Sequence, residues 1–247
     1  MFKRYLHKLL LGLLAICTSA ICFGQTQASE HWVKSYGIGV KVTSNGLGLA
    51  YQQQFHKSHN MSRFVYADFG SFKHTNESKI VNHKAENKMP FVYGKLFHTA
   101  RVRGLYGVSY RLIQPRKYNH VAVDIQGSGG LTIGVQRPVY LRIETLENDQ
   151  KTVKNIKYSR QNVPDAEPII GYSKNGEGWK ELEYRPGASS LINVAFTWNE
   201  FTQVSKRVNI GASMDYYPGG LPIMAFGQNP KLNATFFVGF MWVINQG

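Results

Sequence analysis

The chain has 247 residues, of which 43% are hydrophobic and 13% aromatic, and its mean hydropathy is −0.28. Lys and Arg number 29 against 15 Asp and Glu, so that the formal net charge is +14 at pH 7. Beyond the N-terminal residues no apolar stretch approaches the roughly 18 residues that a transmembrane helix needs. This pattern excludes a helical membrane protein.

The N-terminus has the three parts of a secretory signal peptide. Three basic residues lie within the first eight, residues 9–23 are almost all apolar, and Gly24 offers a small residue at the expected cleavage point. We predict a cleaved signal peptide over residues 1–24 and one mature domain over residues 25–247. The alternative is a retained N-terminal anchor, which the shortness of the apolar run disfavours.

Both cysteines, Cys17 and Cys22, lie inside this predicted signal peptide. A lipid-modified cysteine is the alternative, but Ile16 and Ile21 stand where that processing prefers a small residue. The mature chain therefore has no cysteine. This excludes a disulfide scaffold, a thiolate metal site and a cysteine nucleophile.

The mature chain keeps a strong basic excess. Removal of the three basic signal residues leaves 26 basic and 15 acidic residues, a net charge of +11. In an exported protein this excess favours lipopolysaccharide, which is rich in phosphate, over nucleic acid as the polyanionic partner. The alternative is that the charge only keeps the loops solvated.

Segments of about ten residues alternate between apolar and polar side chains, as the strands of a membrane barrel do. A soluble β-sandwich also alternates, so the pattern alone leaves both open. We predict an antiparallel transmembrane β-barrel of about ten strands, with eight and twelve as alternatives. The predicted strands are residues 36–42, 47–55, 61–73, 91–97, 101–113, 120–126, 131–143, 190–199, 208–217 and 232–244. One long bent strand is the alternative to the pair within residues 120–143.

The predicted connections sort by length, which a barrel requires and a sandwich does not. Short turns, expected on the periplasmic side, are residues 57–60, 98–100, 127–130 and 200–206. Long extracellular loops are residues 74–88, 144–189 and 218–230. The tight hairpin at Asn45 and Gly46 is predicted to lie on the extracellular side as well. We expect positive φ at both residues. Residues 144–189 are predicted to fold over the barrel mouth or into the lumen, or to contain a further hairpin.

Charged residues within the strands point to the lumen. A cation on the lipid face at mid-bilayer costs about 2–4 kcal/mol, so three arginines that share one strand face are expected to face inward. Glu144 is a further candidate partner for them. The predicted lumen-lining residues are Arg101, Arg103, Arg111, Asp124 and Asp215. Their network would fill a narrow barrel and make it a scaffold; the alternative is an anion-selective lumen.

Catalytic and metal-binding patterns are weak. His56 and His59 are three residues apart in a predicted turn, whereas a transition-metal site needs three or four converging ligands. His120 and Asp124 share one strand face, but no GxSxG motif accompanies them, and lumen packing explains the pair better. We therefore predict no enzyme, no cofactor and no metal.

Four segments resemble a family of uncharacterised small outer-membrane β-barrel proteins of Bacteroidota. They are SYGIGVKVTSNGLGLAYQQQF, PFVYGKLFHTARVRGLYG, GLTIGVQRPVYLRIE and YYPGGLPIMAF. The resemblance extends from about Ser35 to Trp242. It implies a barrel fold and an outer-membrane location and supplies no catalytic residue.

Taken together, these patterns predict an outer-membrane barrel of a Gram-negative cell that serves as a structural or binding scaffold with a basic lumen and basic loops. The expected partners are outer-membrane lipids, lipopolysaccharide and a surface or periplasmic protein, with no nucleic acid. The alternatives are a narrow channel for anions or small solutes and a lipid-modifying barrel enzyme.

Overall fold

The computed structural model describes residues 34–56, 60–74, 77–82, 89–114, 121–147, 150–159, 169–173, 177–200, 202–226 and 229–246. The predicted signal peptide lies outside the described residues, as do His59 and His120. Among the residues described, none belongs to a helix long and apolar enough to cross a membrane.

Within these ranges the chain is built from β-strands. In chain order they are β1 (Lys34–Thr43), β2 (Gly46–His56), β3 (Met61–Phe72), β4 (Lys79–Ile80), β5 (Phe91–Val92), β6 (Phe97–Ile113), β7 (Ala122–Pro138), β8 (Tyr140–Glu147), β9 (Gln150–Lys157), β10 (Ile169–Tyr172), β11 (Glu183–Trp198), β12 (Val204–Tyr216) and β13 (Leu232–Gln246).

Eight of these strands close into an antiparallel barrel. They are hydrogen-bonded in the order β1-β13-β12-β11-β7-β6-β3-β2. Strand β1 closes the ring because it pairs with β2 on one side and with β13 on the other, from Lys34 opposite Gln246 to Thr43 opposite Phe237. Closure removes the free sheet edges that would otherwise leave N–H and C=O groups unpaired.

The wall has eight strands where the sequence predicts about ten, and two segments explain the difference. Residues 91–97 do not form a wall strand, since only Phe91–Val92 is extended there and β6 starts at Phe97. The predicted turns at residues 98–100 and 127–130 are wrong as well, because β6 and β7 run straight through them. Gly129 pairs with Tyr106 on one side and Ser190 on the other, and these ladders hold the glycine-rich segment extended.

The two ends of the barrel differ. We call the end that holds Lys34 and Gln246 the terminal end and the opposite end the loop end. The terminal end has the connections at residues 57–60, 114–121 and 199–203, and the loop end has those at residues 44–45, 73–96, 139–182 and 217–231.

The first hairpin lies where the sequence predicts it, but its turn geometry differs. Thr43 pairs with Gly46, so Ser44 and Asn45 form the turn. Gly46 has a φ of 154°, whereas Asn45 is not among the residues with positive φ. The expectation of positive φ at both Asn45 and Gly46 is therefore wrong.

The long connection over residues 139–182 is structured where it is described. Strands β8 and β9 form a hairpin, and β10 adds to β8 to give a three-stranded sheet in the order β10-β8-β9. This hairpin corresponds to the further hairpin that the sequence left open. The region packs around the buried residues Phe91, Leu96, Val139, Leu141, Ile143, Tyr158 and Ile169.

Side chains alternate across the barrel wall. In β3, Met61, Val65 and Phe69 are exposed outside, while Tyr66 and Asp68 between them are buried inside. The same period of two runs through the other wall strands, because successive strand side chains point to opposite faces. The exterior is consequently apolar and the interior carries the charged and polar side chains.

Candidate functional site

The lumen holds two charged clusters near its two ends. The loop-end cluster consists of Lys41, Asp68, Arg101, Arg103 and Asp215. The terminal-end cluster consists of Arg111, Asp124, Glu200 and Arg207. An uncharged layer separates the two.

Asp68 compensates two cations in the loop-end cluster. Arg103 donates to it from Nε at 3.1 Å to Oδ1 and from Nη2 at 2.7 Å to Oδ2. Lys41 Nζ donates to Oδ2 at 2.6 Å and to the Tyr66 hydroxyl at 3.1 Å. The three charged side chains are almost completely buried, so the hydrogen bonds replace the lost hydration.

Asp215 serves as the second anion of this cluster. Arg101 Nη1 donates to Oδ2 at 2.6 Å, and Arg103 Nη1 lies 3.4 Å from Oδ1. The Ser189 hydroxyl donates to Oδ1 at 2.6 Å. Arg103 thereby bridges both carboxylates, and the cluster contains three cations against two anions.

Register explains how distant sequence positions meet here. Asp68 of β3 lies directly opposite Arg103 of β6, and Ser189 of β11 lies directly opposite Asp215 of β12. Direct cross-strand neighbours have side chains about 5 Å apart at Cβ, which suits a hydrogen bond between short and long polar groups. The cluster follows from pairing between strands and not from local sequence.

The terminal-end cluster is built in the same way. Arg111 lies opposite Asp124 and is hydrogen-bonded to it, and its Nη1 donates to Glu200 Oε2 at 2.8 Å. Arg207 donates from Nε to Thr197 Oγ1 at 3.0 Å and from Nη1 to Gln54 Oε1 at 3.0 Å. Two cations and two carboxylates balance at this end.

Between the clusters the interior is packed with apolar and amide side chains. Phe64, Leu105, Leu191, Phe237 and Met241 are buried there with smaller neighbours. A cavity of about 10 Å³ remains, lined by Gln52 among others. That volume is close to what one water molecule requires. Gln52 Nε2 is buried and has no hydrogen-bond partner among the described residues.

A cap of residues 217–226 closes the loop end. Ile223 O accepts hydrogen bonds from the Leu96 and Phe97 amides, and the apolar residues Phe72, Val92, Tyr217, Leu221, Ile223 and Met224 are buried together. The Tyr217 hydroxyl is hydrogen-bonded to Thr132 Oγ1 at 3.0 Å. Burial raises the pKa of Tyr217 to about 12, so this phenol stays neutral at physiological pH.

The structure separates the residues that the sequence groups together. Arg101 and Arg103 meet Asp215 at the loop end, whereas Arg111 meets Asp124 near the terminal end. Glu144, the further candidate partner, lies in β8, which belongs to the three-stranded sheet and not to the eight wall strands.

Four lumen residues escape the sequence-based analysis: Lys41, Asp68, Glu200 and Arg207. Their signal is the alternation itself, since Lys41, Asp68 and Arg207 each occupy an interior position of a strand whose exterior face is mostly apolar. Applying the argument used for the three arginines to every charged strand residue would have found these three. Glu200 lies in a turn, where the alternation of strand residues does not predict the direction of a side chain.

No described part of the chain brings together three or more His, Cys, Asp or Glu residues that could hold a metal ion. His56 is hydrogen-bonded to Ser35 at 3.2 Å, and Asp124 is paired with Arg111. The four carboxylates of the two clusters are all paired with cations, and one positive charge remains in excess at the loop end.

No protein-family model matches this sequence, and no curated protein matches it. The resemblance to a family of Bacteroidota therefore gains no support. Among solved structures, Neisserial surface protein A is 8% identical, with a TM-score of 0.39 over 86% of this chain and 95% of that one.

Two further solved structures match at a similar level. Ail, the attachment invasion locus protein of Yersinia pestis, is 10% identical, with a TM-score of 0.39 over 87% of this chain and 100% of that one. The N-terminal β-barrel domain of Pseudomonas aeruginosa OprF is 8% identical, with a TM-score of 0.37 over 87% of this chain and 97% of that one. TM-scores this low decide nothing about what this chain does.

Proposed function

We propose that this chain is an integral outer-membrane β-barrel that acts as a structural or binding scaffold with a filled lumen. The observation that carries the proposal is the polarity of the wall. Apolar side chains are exposed around the exterior, and no exterior position of the described wall strands holds an acidic residue. The acidic residues of these strands all take interior positions: Asp68, Asp124, Glu183 and Asp215.

The lysine, arginine and histidine residues on the exterior mark the two edges of the apolar belt. They are Lys34, Arg63 and Lys206 at the terminal end and His98 and Arg137 at the loop end. Arg63 lies opposite Val108, ten residues along β6 from His98. At about 3.3 Å per residue and a tilt of about 40°, ten residues rise roughly 25 Å, the height of the apolar band of outer-membrane barrels.

Aromatic side chains at the terminal edge support the same placement. Lys206 lies between Trp198 of β11 and Trp242 of β13 in the pairing of the three strands. Indole rings concentrate at the interface between lipid and water, and a lysine at that level extends its ammonium group towards water. The three residues therefore suit the edge of a membrane.

The packing of the lumen favours a scaffold over a pore. Buried ion pairs cross the interior at both ends, and the described side chains between them leave a cavity of about 10 Å³. An eight-stranded barrel has an interior that is just wide enough for side chains to fill. The residues that would line an anion channel are instead bound to one another.

The proposal includes orientation and partners. Export by the signal peptide over residues 1–24 would place the terminal end in the periplasm and the loop end, with its sheet β10-β8-β9, outside the cell. The net charge of +11 that remains without residues 1–24 supports lipopolysaccharide and other outer-membrane lipids as partners, with a surface or periplasmic protein as a further one. We propose no enzymatic activity, no cofactor and no nucleic acid partner.

Cell fractionation tests the location. The protein should be recovered with outer membranes, resist extraction by urea and migrate faster on a gel when left unheated, because a closed barrel survives detergent without heating. Recovery in the soluble periplasmic fraction would refute the proposal.

Planar-bilayer recording tests the filled lumen. The purified barrel should give no steady conductance. A steady anion current that falls in Arg101→Gln and Arg103→Gln would instead establish the channel.

A further inference from the structure

The turn at residues 177–182 packs against the outside of the barrel wall at the loop end. Gly178 has a φ of 90°, and a Cβ there would lie 2.8 Å from the Pro138 carbonyl oxygen and 3.3 Å from Arg137 Cγ. Glycine thus permits a close approach to the end of β7. The approach places the Arg137 guanidinium over the Trp179 ring, 4.9 Å from its centroid.

This pair lies at the edge of the apolar belt. Arg137 takes an exterior position on β7 and lies opposite His98 of β6. On its other side, Tyr184 of β11 lies opposite Val135 and is exposed on the exterior. Trp179 itself is 63% exposed, although one face of its ring is covered by Arg137. The exposed indole of Trp179 therefore extends the apolar belt of the exterior towards the loop end.

The acidic groups near the turn have other partners. Glu177 accepts a hydrogen bond from Asn155 at 3.0 Å, and Glu183 accepts one from Arg185 at 2.7 Å. Glu181 is bound by both the Lys157 ammonium and the Tyr140 hydroxyl.

Two cations lie at this place: Arg137 near the end of β7 and the exposed Lys180 in the turn. In the described part of the chain, neither Arg137 nor Lys180 forms an ion pair with a carboxylate. Two cations without a carboxylate partner among the described residues, one of them stacked on an exposed indole at the edge of an apolar belt, suit the negative charge and the depth of a phosphate in a lipid headgroup.

We propose that Arg137, Trp179 and Lys180 form a binding site for the phosphate of an anionic lipid in the leaflet at the loop end. A guanidinium binds phosphate through two parallel N–H···O bonds, and stacking on the indole holds it ready for that contact. The indole is suited to the interfacial layer in which the phosphate lies. This inference rests on the proposed membrane location.

Depth-dependent quenching of tryptophan fluorescence tests the lipid site and the membrane location separately. Two single-tryptophan variants are reconstituted in vesicles of brominated phosphatidylcholine: one retains Trp179 and the other retains Trp242, with Phe at the remaining positions. Both tryptophans should be quenched, Trp179 more strongly by bromines placed near the headgroup. Quenching of Trp242 without Trp179 would overturn the inference alone. Absence of quenching at both would overturn the membrane location itself.

Lipid preference tests the phosphate contact. In mixed vesicles, Trp179 should be quenched more by brominated phosphatidylglycerol than by brominated phosphatidylcholine. We expect the site to prefer phosphatidylglycerol by roughly fivefold in relative affinity, which is the effect of about one cation at an anionic surface. Arg137→Gln should lower this preference to the contribution of Lys180, and Arg137→Lys should retain more of it. Arg63→Gln, an exterior cation at the terminal end, is the matched control and should leave it unchanged.

Equal preference in wild type and Arg137→Gln would overturn the role of Arg137. Inorganic phosphate is the second probe, added to pure phosphatidylcholine vesicles. A response of Trp179 emission to inorganic phosphate, without any preference for phosphatidylglycerol, would assign the site to a free anion and overturn the lipid proposal.

Discussion

Arg103 and Asp68 face each other across β3 and β6 and are joined by three hydrogen bonds inside the lumen. Arg103 Nη2 lies 2.7 Å from Asp68 Oδ2, and Nε lies 3.1 and 3.0 Å from the two carboxylate oxygens. Lys41 Nζ adds a contact of 2.6 Å to Oδ2. One carboxylate thus compensates two buried cations, and its loss would leave Lys41 without a carboxylate among the described residues and Arg103 with only the longer contact of 3.4 Å to Asp215.

Asp68→Asn should therefore destabilise the barrel strongly. Removing one partner of a buried ion pair costs about 3–5 kcal/mol, because an uncompensated charge stays in a medium of low polarity. The free energy of unfolding in urea, measured on the barrel reconstituted in lipid vesicles, checks this value. Asp124→Asn is the matched control with a smaller expected cost of about 1–3 kcal/mol, since Arg111 keeps Glu200 as a partner. A larger loss in Asp124→Asn would contradict the assignment.

Gly107→Ala should lower stability through a clash within the wall. A Cβ at Gly107 would lie 2.4 Å from the Gly127 carbonyl oxygen and 2.7 Å from Phe64 Cζ. Overpacking of this kind costs about 1–3 kcal/mol. Gly104→Ala, on the same strand, meets no atom within 4 Å and should leave the free energy of unfolding almost unchanged. Equal stability of the two variants would show that the wall relaxes around Gly107.

A charge in the middle of the exterior belt should prevent stable insertion into lipid. Val238 of β13 lies between Val42 and Ile210. We expect Val238→Arg to cost about 2–4 kcal/mol in vesicles, whereas Ile244→Arg at the terminal edge should cost about 0–1 kcal/mol. Equilibrium folding into vesicles measures both. The membrane assignment would fail if the two substitutions had the same small effect.

Asn229 should hold the cap in place. Its Oδ1 accepts hydrogen bonds from the amides of Ile223 at 3.0 Å and Met224 at 3.3 Å, and its Nδ2 donates to the Met224 carbonyl at 3.2 Å. Asn229→Ala should accelerate hydrogen exchange of both amides, because their acceptor is lost. The control is Asn233→Ala, which removes a single exposed hydrogen bond to Pro230. Unchanged exchange in Asn229→Ala would mean that packing alone holds the cap.

The alternation of polar and apolar residues was enough to predict β-strands and the apolar face of each, and the lengths of the connections favoured a barrel over a sandwich. Period two is a local property of a strand, so the sequence carries it without knowledge of partners. The last strand illustrates this, since Phe236, Val238 and Phe240 occupy exterior positions of β13 and Phe237 an interior one. The apolar face of each strand could therefore be predicted before any pairing was known.

Pairing between strands is what only the tertiary structure decided. Residues 127–130 look like a turn locally, yet ladders from β6 and β11 keep them extended, which removes one of the two surplus predicted strands. Lys41, Asp68 and Arg103 meet because β1, β2, β3 and β6 lie side by side in one register. Contacts between positions so distant in sequence depend on barrel closure, and no local pattern encodes which strands become neighbours.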